Sequence, residues 1–387
     1  MKHLKTFSLV VLTLYALGVS SDAWSAATER VESAPDWKTE ALRRINEPLK
    51  VDIRWNVNSS QEEPGMILSL EDGNVTFVQT NSGGQASVAR EALGSFYFGS
   101  KFDEPVLAAL RRVGRDLFTE QDLDALRDVT YPMCRFLSIP EANCNMHQTV
   151  LKFCQGLIQL GYLEEAAFYF QYIPMELVGL NFEELALQLA HLLLDEGNLD
   201  LGVDVVKGVP VEQINAANLA SLAEFAHRLR EFDEYRIAMG IYKRMLANSQ
   251  QADDEPQYWF YYCEIALNEA QEDHEYIQKI TTLDPSNRFF SLQQLIAGRY
   301  YLDRNFVDQA MRAIAKGVAF AKPVDRWTPE LMYYSSRTYR ALKMPEVADA
   351  ILKEIVLFFP HSHWAELSQK ILPKVQPSII NTLNPPR

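Results

Sequence analysis

The side chains that most often carry out chemistry are scattered along this sequence and form few local groups. His361 and His363 lie two residues apart and could chelate a metal ion weakly, but no third ligand lies nearby. Adjacent carboxylates, which could act as an acid and a base, occur at Glu164-Glu165, Glu183-Glu184 and Asp253-Asp254-Glu255. They fall at helix starts or in loops, where negative charge favours the helix dipole, and that accounts for them without catalysis. We therefore predict no metal site.

Motifs that mark known kinds of active site are absent from the sequence. It contains no Gly-rich phosphate loop, no H-E-x-x-H, no G-x-S-x-G and no C-x-x-C. A nucleophile and its base can be far apart in sequence, so an enzyme with an unrecognised site stays an alternative. We predict that the protein is not an enzyme and has no cofactor.

The four cysteines, Cys134, Cys144, Cys154 and Cys263, allow two interpretations. Cys134 and Cys144 close a short Pro-containing stretch, CRFLSIPEANC, and could form a disulfide in an oxidising compartment. Cys154 and Cys263 lie in helical patterns, where a free thiol behaves as a small hydrophobic side chain. The sequence predicts a possible Cys134–Cys144 disulfide and free thiols at the other two positions.

The amino terminus has the layout of a secretory signal peptide over residues 1–27. Lys2 and Lys5 precede an apolar run from Phe7 to Val19, which is too short for a membrane-spanning helix. We expect an exported, periplasmic or extracellular protein with no membrane span after cleavage. The net charge of −14 opposes binding to nucleic acid, because phosphate backbones carry the same sign.

Residues 45–100 alternate in polarity as strands do. Five runs rich in Val, Ile, Thr and aromatic residues are separated by turn residues, among them Asp72-Gly73 and Ser82-Gly83-Gly84. This pattern predicts a small β module that packs on the segment after it. The alternation resembles that of SH3-like and Sm-like barrels.

Helical spacing takes over after Glu104, with linking helices over residues 101–145 and helix hairpins over 146–372. Small residues recur in steps of 36 near the middle of each first helix, with exceptions only at Tyr262 and a late Ser336. A second series of mostly small residues marks each second helix: Ala166, Gly202, Ala238, His274, Ala310 and Ala348. Between the two helices come the turn residues Gly161, Gly197, Asp233, Glu269, Asn305 and Lys343.

Two antiparallel helices approach closely only where side chains are small, so this spacing predicts stacked hairpins. The last unit, MYYSSRTYRALKMPEVADAILKEIVLFFP, resembles a tetratricopeptide repeat, and two earlier segments are similar to it. The resemblance covers residues 140–372 in six units and implies a mainly α protein whose hairpins form an α-α superhelix. Residues 373–387 form a Pro-containing tail.

The resemblance implies that the first helices line a concave groove that binds a protein or peptide. The residues that it places there are Trp259, Arg299, Tyr333, Arg337, Arg340, His227 and Arg230. Arginines beside aromatic rings, in a chain of opposite net charge, would select an acidic or carboxylate-ended segment. The alternative is that the arginines pair with neighbouring carboxylates and that the aromatic rings belong to the core.

We therefore expect an exported scaffold that binds other proteins, with a role in cell-envelope assembly. A structural spacer without a peptide ligand is the second possibility, and the sequence leaves the oligomeric state open.

Overall fold

The chain forms two compact units, residues 1–209 and 210–387. In this computed structural model the described residues are 37–56, 60–71, 73–212, 214–247, 255–267, 277 and 284–372. The predicted signal peptide, residues 1–27, and the predicted tail, residues 373–387, lie outside the described residues. The predicted hairpin region, residues 146–372, extends across the boundary between the two units.

The first unit contains an antiparallel sheet of five strands in the order β4-β3-β2-β1-β5. The strands are β1 (Leu49–Arg54), β2 (Glu63–Glu71), β3 (Asn74–Gln79), β4 (Gln85–Ala89) and β5 (Tyr97–Gly99). They match the five alternating runs, and Glu71 pairs with Asn74 across the predicted turn, where Gly73 has φ 75°. Asp72 lies outside the described residues. The small antiparallel sheet that the alternation predicted is confirmed.

One face of the sheet supplies an apolar core, because alternate residues of a strand point to the same side. Ile53, Ile67, Val75 and Phe77 are fully buried there, and the ring of Phe98 packs 5.6 Å from that of Phe77. The sheet therefore has a hydrophobic side that the neighbouring helices can cover.

The helices of the first unit begin before the sheet and continue after it. They are α1 (Trp37–Ile45), α2 (Glu104–Arg112), α3 (Glu120–Thr130), α4 (Met146–Gln159), α5 (Leu163–Phe170), α6 (Leu180–Asp195) and α7 (Leu199–Lys207). A capping box between Thr119 and Asp122 starts α3. Short 3₁₀ turns, Tyr131–Phe136 and Glu141–Asn143, connect α3 to α4.

Side-chain amides join the sheet to these helices. Asn145 accepts from the Ser100 N–H and donates to the Ser100 C=O, both at 2.8 Å. Asn143 donates to the carbonyl groups of Leu93 and Phe96, at 3.1 and 2.8 Å. The backbone groups at the β5 end of the sheet are thus satisfied by residues about 45 positions further along the chain.

The structure does not contain the possible Cys134–Cys144 disulfide. Both residues are buried free thiols. The Cys134 thiol donates to the Thr130 carbonyl. The backbone of Cys144 forms an isolated β-bridge with Phe98 of β5, and its Sγ lies 3.4 Å from His147 Nδ1. The β-bridge and the contact with His147 hold Cys144 at the end of the sheet. Cys154 and Cys263 are also buried free thiols.

The second unit consists of helices in the described residues. They are α8 (Ala216–Glu231), α9 (Tyr235–Ala247), α10 (Glu255–Leu267), α11 (Phe290–Asp303), α12 (Val307–Phe320), α13 (Thr328–Ala341), α14 (Pro345–Phe358) and α15 (His363–Ile371). Antiparallel hairpins are formed by α8–α9, α11–α12 and α13–α14, as they are by α4–α5 and α6–α7 in the first unit. The mainly α architecture is confirmed. No helix among the described residues has the length and apolar character needed to cross a bilayer.

A common turn closes these five hairpins. Each has one residue in the left-handed region, with φ between 61° and 81°, at Gly161, Gly197, Asp233, Asn305 and Lys343. That residue donates its N–H to the carbonyl three positions back, and the next N–H bonds five positions back. This is the Schellman arrangement, and it satisfies carbonyl groups at the end of the first helix. The predicted turn residue Glu269 lies outside the described residues.

The recurring positions of both series that the structure describes are buried within the hairpins. All six first-helix positions are buried: Cys154, Ala190, Ala226, Tyr262, Gly298 and Ser336. The second-helix positions Ala166, Gly202, Ala238, Ala310 and Ala348 are also buried, and His274 lies outside the described residues. The spacing in the sequence therefore reflects close helix approach.

We expect Lys343→Gly to stabilise the second unit. Lys343 has φ 61° and an exposed side chain, and this conformation disfavours a residue with a Cβ. Relief of that strain, less the greater freedom of glycine in the unfolded chain, should raise the free energy of unfolding by about 0.5–1 kcal/mol. Urea denaturation measures the change.

Asn305→Gly is the matched control, since Asn305 occupies the same turn position at φ 61° and asparagine tolerates it better. A gain for Asn305→Gly equal to or larger than that for Lys343→Gly would contradict the explanation by backbone strain.

Candidate peptide-binding site

The seven residues predicted to line a groove all lie on first helices of the second unit. His227 and Arg230 belong to α8, Trp259 to α10 and Arg299 to α11. Tyr333, Arg337 and Arg340 are on α13. The structure separates them into a buried group and an exposed group.

Four of the seven are buried and do not form an open surface. Arg230 and Trp259 are each 2% exposed, His227 is 5% exposed and Arg299 is 8% exposed. For these four the structure differs from the predicted groove and agrees with the alternative of ion pairing and core packing. Their side chains form hydrogen bonds and ring contacts with other residues of the second unit.

Arg230 is held between a carboxylate and two aromatic rings. Its Nη1 donates to Glu330 of α13 at 2.7 Å, and neither side chain is more than 1% exposed. Its guanidinium carbon lies 4.2 Å from the Trp259 ring centre and 4.7 Å from that of Tyr262. A buried charge is tolerated only where it is paired in this way.

Arg299 extends the same network through a tyrosine hydroxyl. The Tyr262 hydroxyl donates to Glu330, and Arg299 donates to the oxygen of Tyr262. A second N–H of Arg299 reaches the Tyr235 hydroxyl at 3.2 Å. We call Arg230, Tyr262, Arg299 and Glu330 the buried arginine network. It joins α8, α10, α11 and α13.

The pKa shifts in this region follow from burial and from the paired charges. Burial opposes the charge on Arg230, but the Glu330 carboxylate raises the pKa of the guanidinium above its ordinary value. Burial, with help from Arg230, lowers the pKa of His227 well below its ordinary value. Burial raises the pKa of Glu231 to about 7. The network therefore keeps its arginines charged and His227 neutral.

The buried group is closed because two first helices that are distant in sequence contact each other. Arg230 of α8 reaches Glu330 of α13, and Arg326, just before α13, pairs with Glu224 of α8 at 3.0 Å. The space that a peptide would occupy between these helices is filled by Trp259, Tyr262 and the arginines. A groove between the first helices would require α8 and α13 to lie apart, and these two helices are in contact.

The remaining three residues lie at the surface of α13. Arg337 and Arg340 are exposed, and Tyr333 is half-buried against Trp364 of α15, with ring centres 5.0 Å apart. Arg340 pairs with Asp349 at 2.6 Å. In the part of the chain that the structure describes, no carboxylate pairs with Arg337, which lies near the ring of Tyr334 at 5.3 Å.

Glu330 is the residue that sequence reasoning missed. It follows Thr328-Pro329 at a helix start, a position where a carboxylate is usually solvated, and nothing nearby in sequence marks it as buried. Tyr262 gave a weak signal, because it is the one large residue in the first-helix series of crossing positions. A bulky side chain at such a position indicates that the space beside it is filled.

The other titratable groups do not form a metal site among the described residues. Glu165, one of the adjacent carboxylates, is buried and accepts two hydrogen bonds from Arg127 and one from Tyr131. His363 packs against the rings of Phe232 and Trp364, and burial lowers its pKa. His361 is exposed.

Comparisons with known proteins identify no family. No protein-family model matches the sequence, and no curated protein matches it. Among solved structures, one similar chain is the crystal structure of YrrB, described as a TPR protein with an unusual peptide-binding site. That match has a TM-score of 0.26 and 15% identity, and it covers 48% of this chain and 91% of that chain. Structural similarity at this TM-score supports no conclusion about this chain. The fold described above therefore depends only on the helices and strands of the chain itself.

Proposed function

We propose that this protein is an exported helical-repeat scaffold that binds an acidic or carboxylate-ended protein segment at the surface of α13. The observation that carries the proposal is the exposed Arg337 guanidinium, which has no carboxylate partner in the described residues. A positive group left unpaired in a chain of net charge −14 is available to a partner.

The surroundings of Arg337 suit recognition of an extended segment. Tyr333 lies one helical turn before Arg337 on α13 and is half-buried, so part of its ring is open to a partner. Trp364 of α15 is buried and packs against the Tyr333 ring, which helps to hold that ring in place. Arg340 is 40% exposed and shares its charge with Asp349, so a carboxylate of the partner could compete for it. We define Tyr333, Arg337 and Arg340 as the α13 surface.

The proposal includes several further expectations. We infer that the hairpins are of the tetratricopeptide type, that the sheet is of the SH3-like or Sm-like type, and that neither part is catalytic. We also propose that the protein acts in the periplasm or outside the cell, in assembly of the cell envelope. These expectations follow from the sequence pattern and are independent of peptide binding at α13.

Binding of a labelled peptide tests the α13 surface. The probe is a fluorescein-labelled peptide rich in glutamate and leucine with a free carboxyl terminus, titrated with the full chain by fluorescence anisotropy. We expect saturable binding that Arg337→Glu weakens by about tenfold or more, since it converts an attraction into a repulsion. A peptide amidated at its carboxyl terminus measures the share that the terminal carboxylate contributes.

Arg312→Glu is the matched control. Arg312 is an exposed arginine on α12, a second helix of the same unit, and it has no carboxylate partner in the described residues. The two variants change the net charge equally. If both weaken binding to the same extent, the peptide responds to overall charge and the α13 surface is not the site.

The burial of the arginine network favours a second candidate function, a structural spacer without a peptide ligand. Four of the seven predicted groove residues are used in packing, and none of these four is more than 8% exposed. The absence of saturable binding by any peptide of the series, with the fold intact, would support this candidate.

A further inference from the structure

A cleft on the first unit has the composition of a site for organic cations. Its volume is about 860 Å³, and its walls come from α1, α3, the start of α5 and the turns that end α4 and α6. Trp37 and Glu40 line it from α1, Arg127 lines it from α3, and Tyr162 and Glu196 line it from the two turns. The predicted groove residues contribute nothing to it, because they all belong to the second unit.

Negative charge exceeds positive charge along the walls. Six carboxylates line the cleft, against two guanidinium groups. Arg127 is engaged by Glu165, at 2.8 and 2.6 Å, and by Asp124 at 2.6 Å. Arg44 is engaged by Glu40 at 2.6 Å and also by Asp128. The positive charge of both arginines is therefore already used within the wall.

Two of the six carboxylates have no positively charged partner among the described residues. Glu164 and Glu196 are exposed, and neither carboxylate forms an ion pair or hydrogen bond with any residue that the structure describes. Glu164 lies in the first turn of α5 and Glu196 directly follows α6, and both line the same cleft. A cation that entered would meet unpaired negative charge here, and no internal ion pair would have to break.

The aromatic walls are placed to contact cations. Lys38 Nζ lies 5.5 Å from the Trp37 ring centre, and the guanidinium of Arg127 lies 5.1 Å from that of Tyr162. Each distance falls within the range of a cation–π interaction. Trp37 remains 38% exposed, so part of its indole is open to a further group.

We propose that this cleft binds a protein segment that carries arginine or lysine side chains. The ammonium or guanidinium group would approach Glu164 and Glu196, and its planar or methylene part would pack on Trp37 and Tyr162. A metal ion fits less well, because the described residues offer no group of three ligands and a hard cation gains little from aromatic faces. Arginine should bind better than lysine, because its planar group stacks.

The test is titration of the full chain into a fluorescein-labelled peptide of alternating glycine and arginine, blocked at both ends, at low ionic strength. The series also contains the lysine peptide, a glutamate peptide and, as competitors, spermidine and Mg²⁺. We expect saturable binding of the arginine peptide, weaker binding of the lysine peptide and none of the glutamate peptide. Spermidine and Mg²⁺ should compete only at much higher concentration.

The variant Glu164→Lys/Glu196→Lys should weaken binding of the arginine peptide by about tenfold or more, because it reverses the two unpaired charges. Trp37→Leu keeps an apolar side chain but removes the aromatic face, so it should weaken binding by about two- to fivefold. The matched control is Glu184→Lys/Asp200→Lys, two exposed carboxylates near the starts of α6 and α7 that do not line the cleft. It should change affinity by less than about twofold.

Three results would overturn the proposal. Equal loss for the cleft variant and the control would assign binding to the net charge of the chain. Displacement by spermidine or Mg²⁺ at the concentration of the peptide itself would assign the cleft to a small cation. Absence of saturable binding by both basic peptides would leave the cleft without a peptide ligand. The site is independent of the α13 surface, so Arg337→Glu should not weaken binding of the arginine peptide.

Discussion

Glu330→Ala should destabilise the second unit by about 3–5 kcal/mol, the largest loss that we expect from a single substitution. Glu330 is fully buried and is the carboxylate that Arg230 and Tyr262 contact. Its removal leaves the Arg230 guanidinium in the core without its partner, and an unpaired buried charge is far more costly than the pair. Urea denaturation followed by far-UV circular dichroism measures the loss.

Two controls separate burial from simple charge loss. Arg340→Ala breaks the surface pair with Asp349 and should cost less than about 1 kcal/mol. Arg230→Met/Glu330→Leu removes both buried charges at once, so it should be more stable than Glu330→Ala alone. A cost below about 1 kcal/mol for Glu330→Ala would mean that water reaches the buried arginine network.

Gly298→Val should destabilise the hairpin of α11 and α12 by about 3 kcal/mol, the upper part of the usual range for overpacked cores. A Cβ at position 298 would lie 2.5 Å from Ile314 Cγ1 and closer still to Cδ1. The two helices must move apart or Ile314 must leave its rotamer, and either change loses contacts at the crossing. The same denaturation experiment detects it.

Gly240→Ala is the matched control, because Gly240 is also a helical glycine of the second unit, in α9. A Cβ there would meet nothing within 4 Å, and alanine should instead stabilise the helix by about 1 kcal/mol. Gly298→Val combined with Ile314→Ala should recover part of the loss. If Gly298→Val is neutral, close helix approach is not the reason for a small residue at the crossing.

Local physics explains how much of the fold could be predicted. Strand alternation and turn glycines are local signals, so the five strands and the turn at Gly73 follow from the sequence. The crossings are also local in effect, since each hairpin needs small residues at a fixed spacing, and Gly298 against Ile314 is an example. The Schellman turns tolerate Asp, Asn and Lys, which is why the turn series contains residues other than glycine.

The site was less predictable, because it depends on contacts between residues far apart in sequence. Arg230 and Glu330 are 100 residues apart, and no local pattern indicates that they meet. Repeat offsets placed four arginines on the first helices but did not separate the two buried ones from the two exposed ones. How far α8 lies from α13 depends on the accumulated rotation of the intervening helices. Arg337 is exposed and Arg299 is buried, although each directly follows the crossing residue of its helix.

The hydrogen bonds from Asn143 and Asn145 to the end of the sheet have a consequence for folding during synthesis. Strands β1 to β5 leave the ribosome before either asparagine does. The backbone groups of Leu93, Phe96 and Ser100 therefore lack these hydrogen-bond partners until about 45 more residues have been added. At a usual elongation rate of about 5–20 residues per second, the interval is several seconds. During that time the sheet lacks the partners of its last strand, and it can be completed only when the start of α4 has emerged.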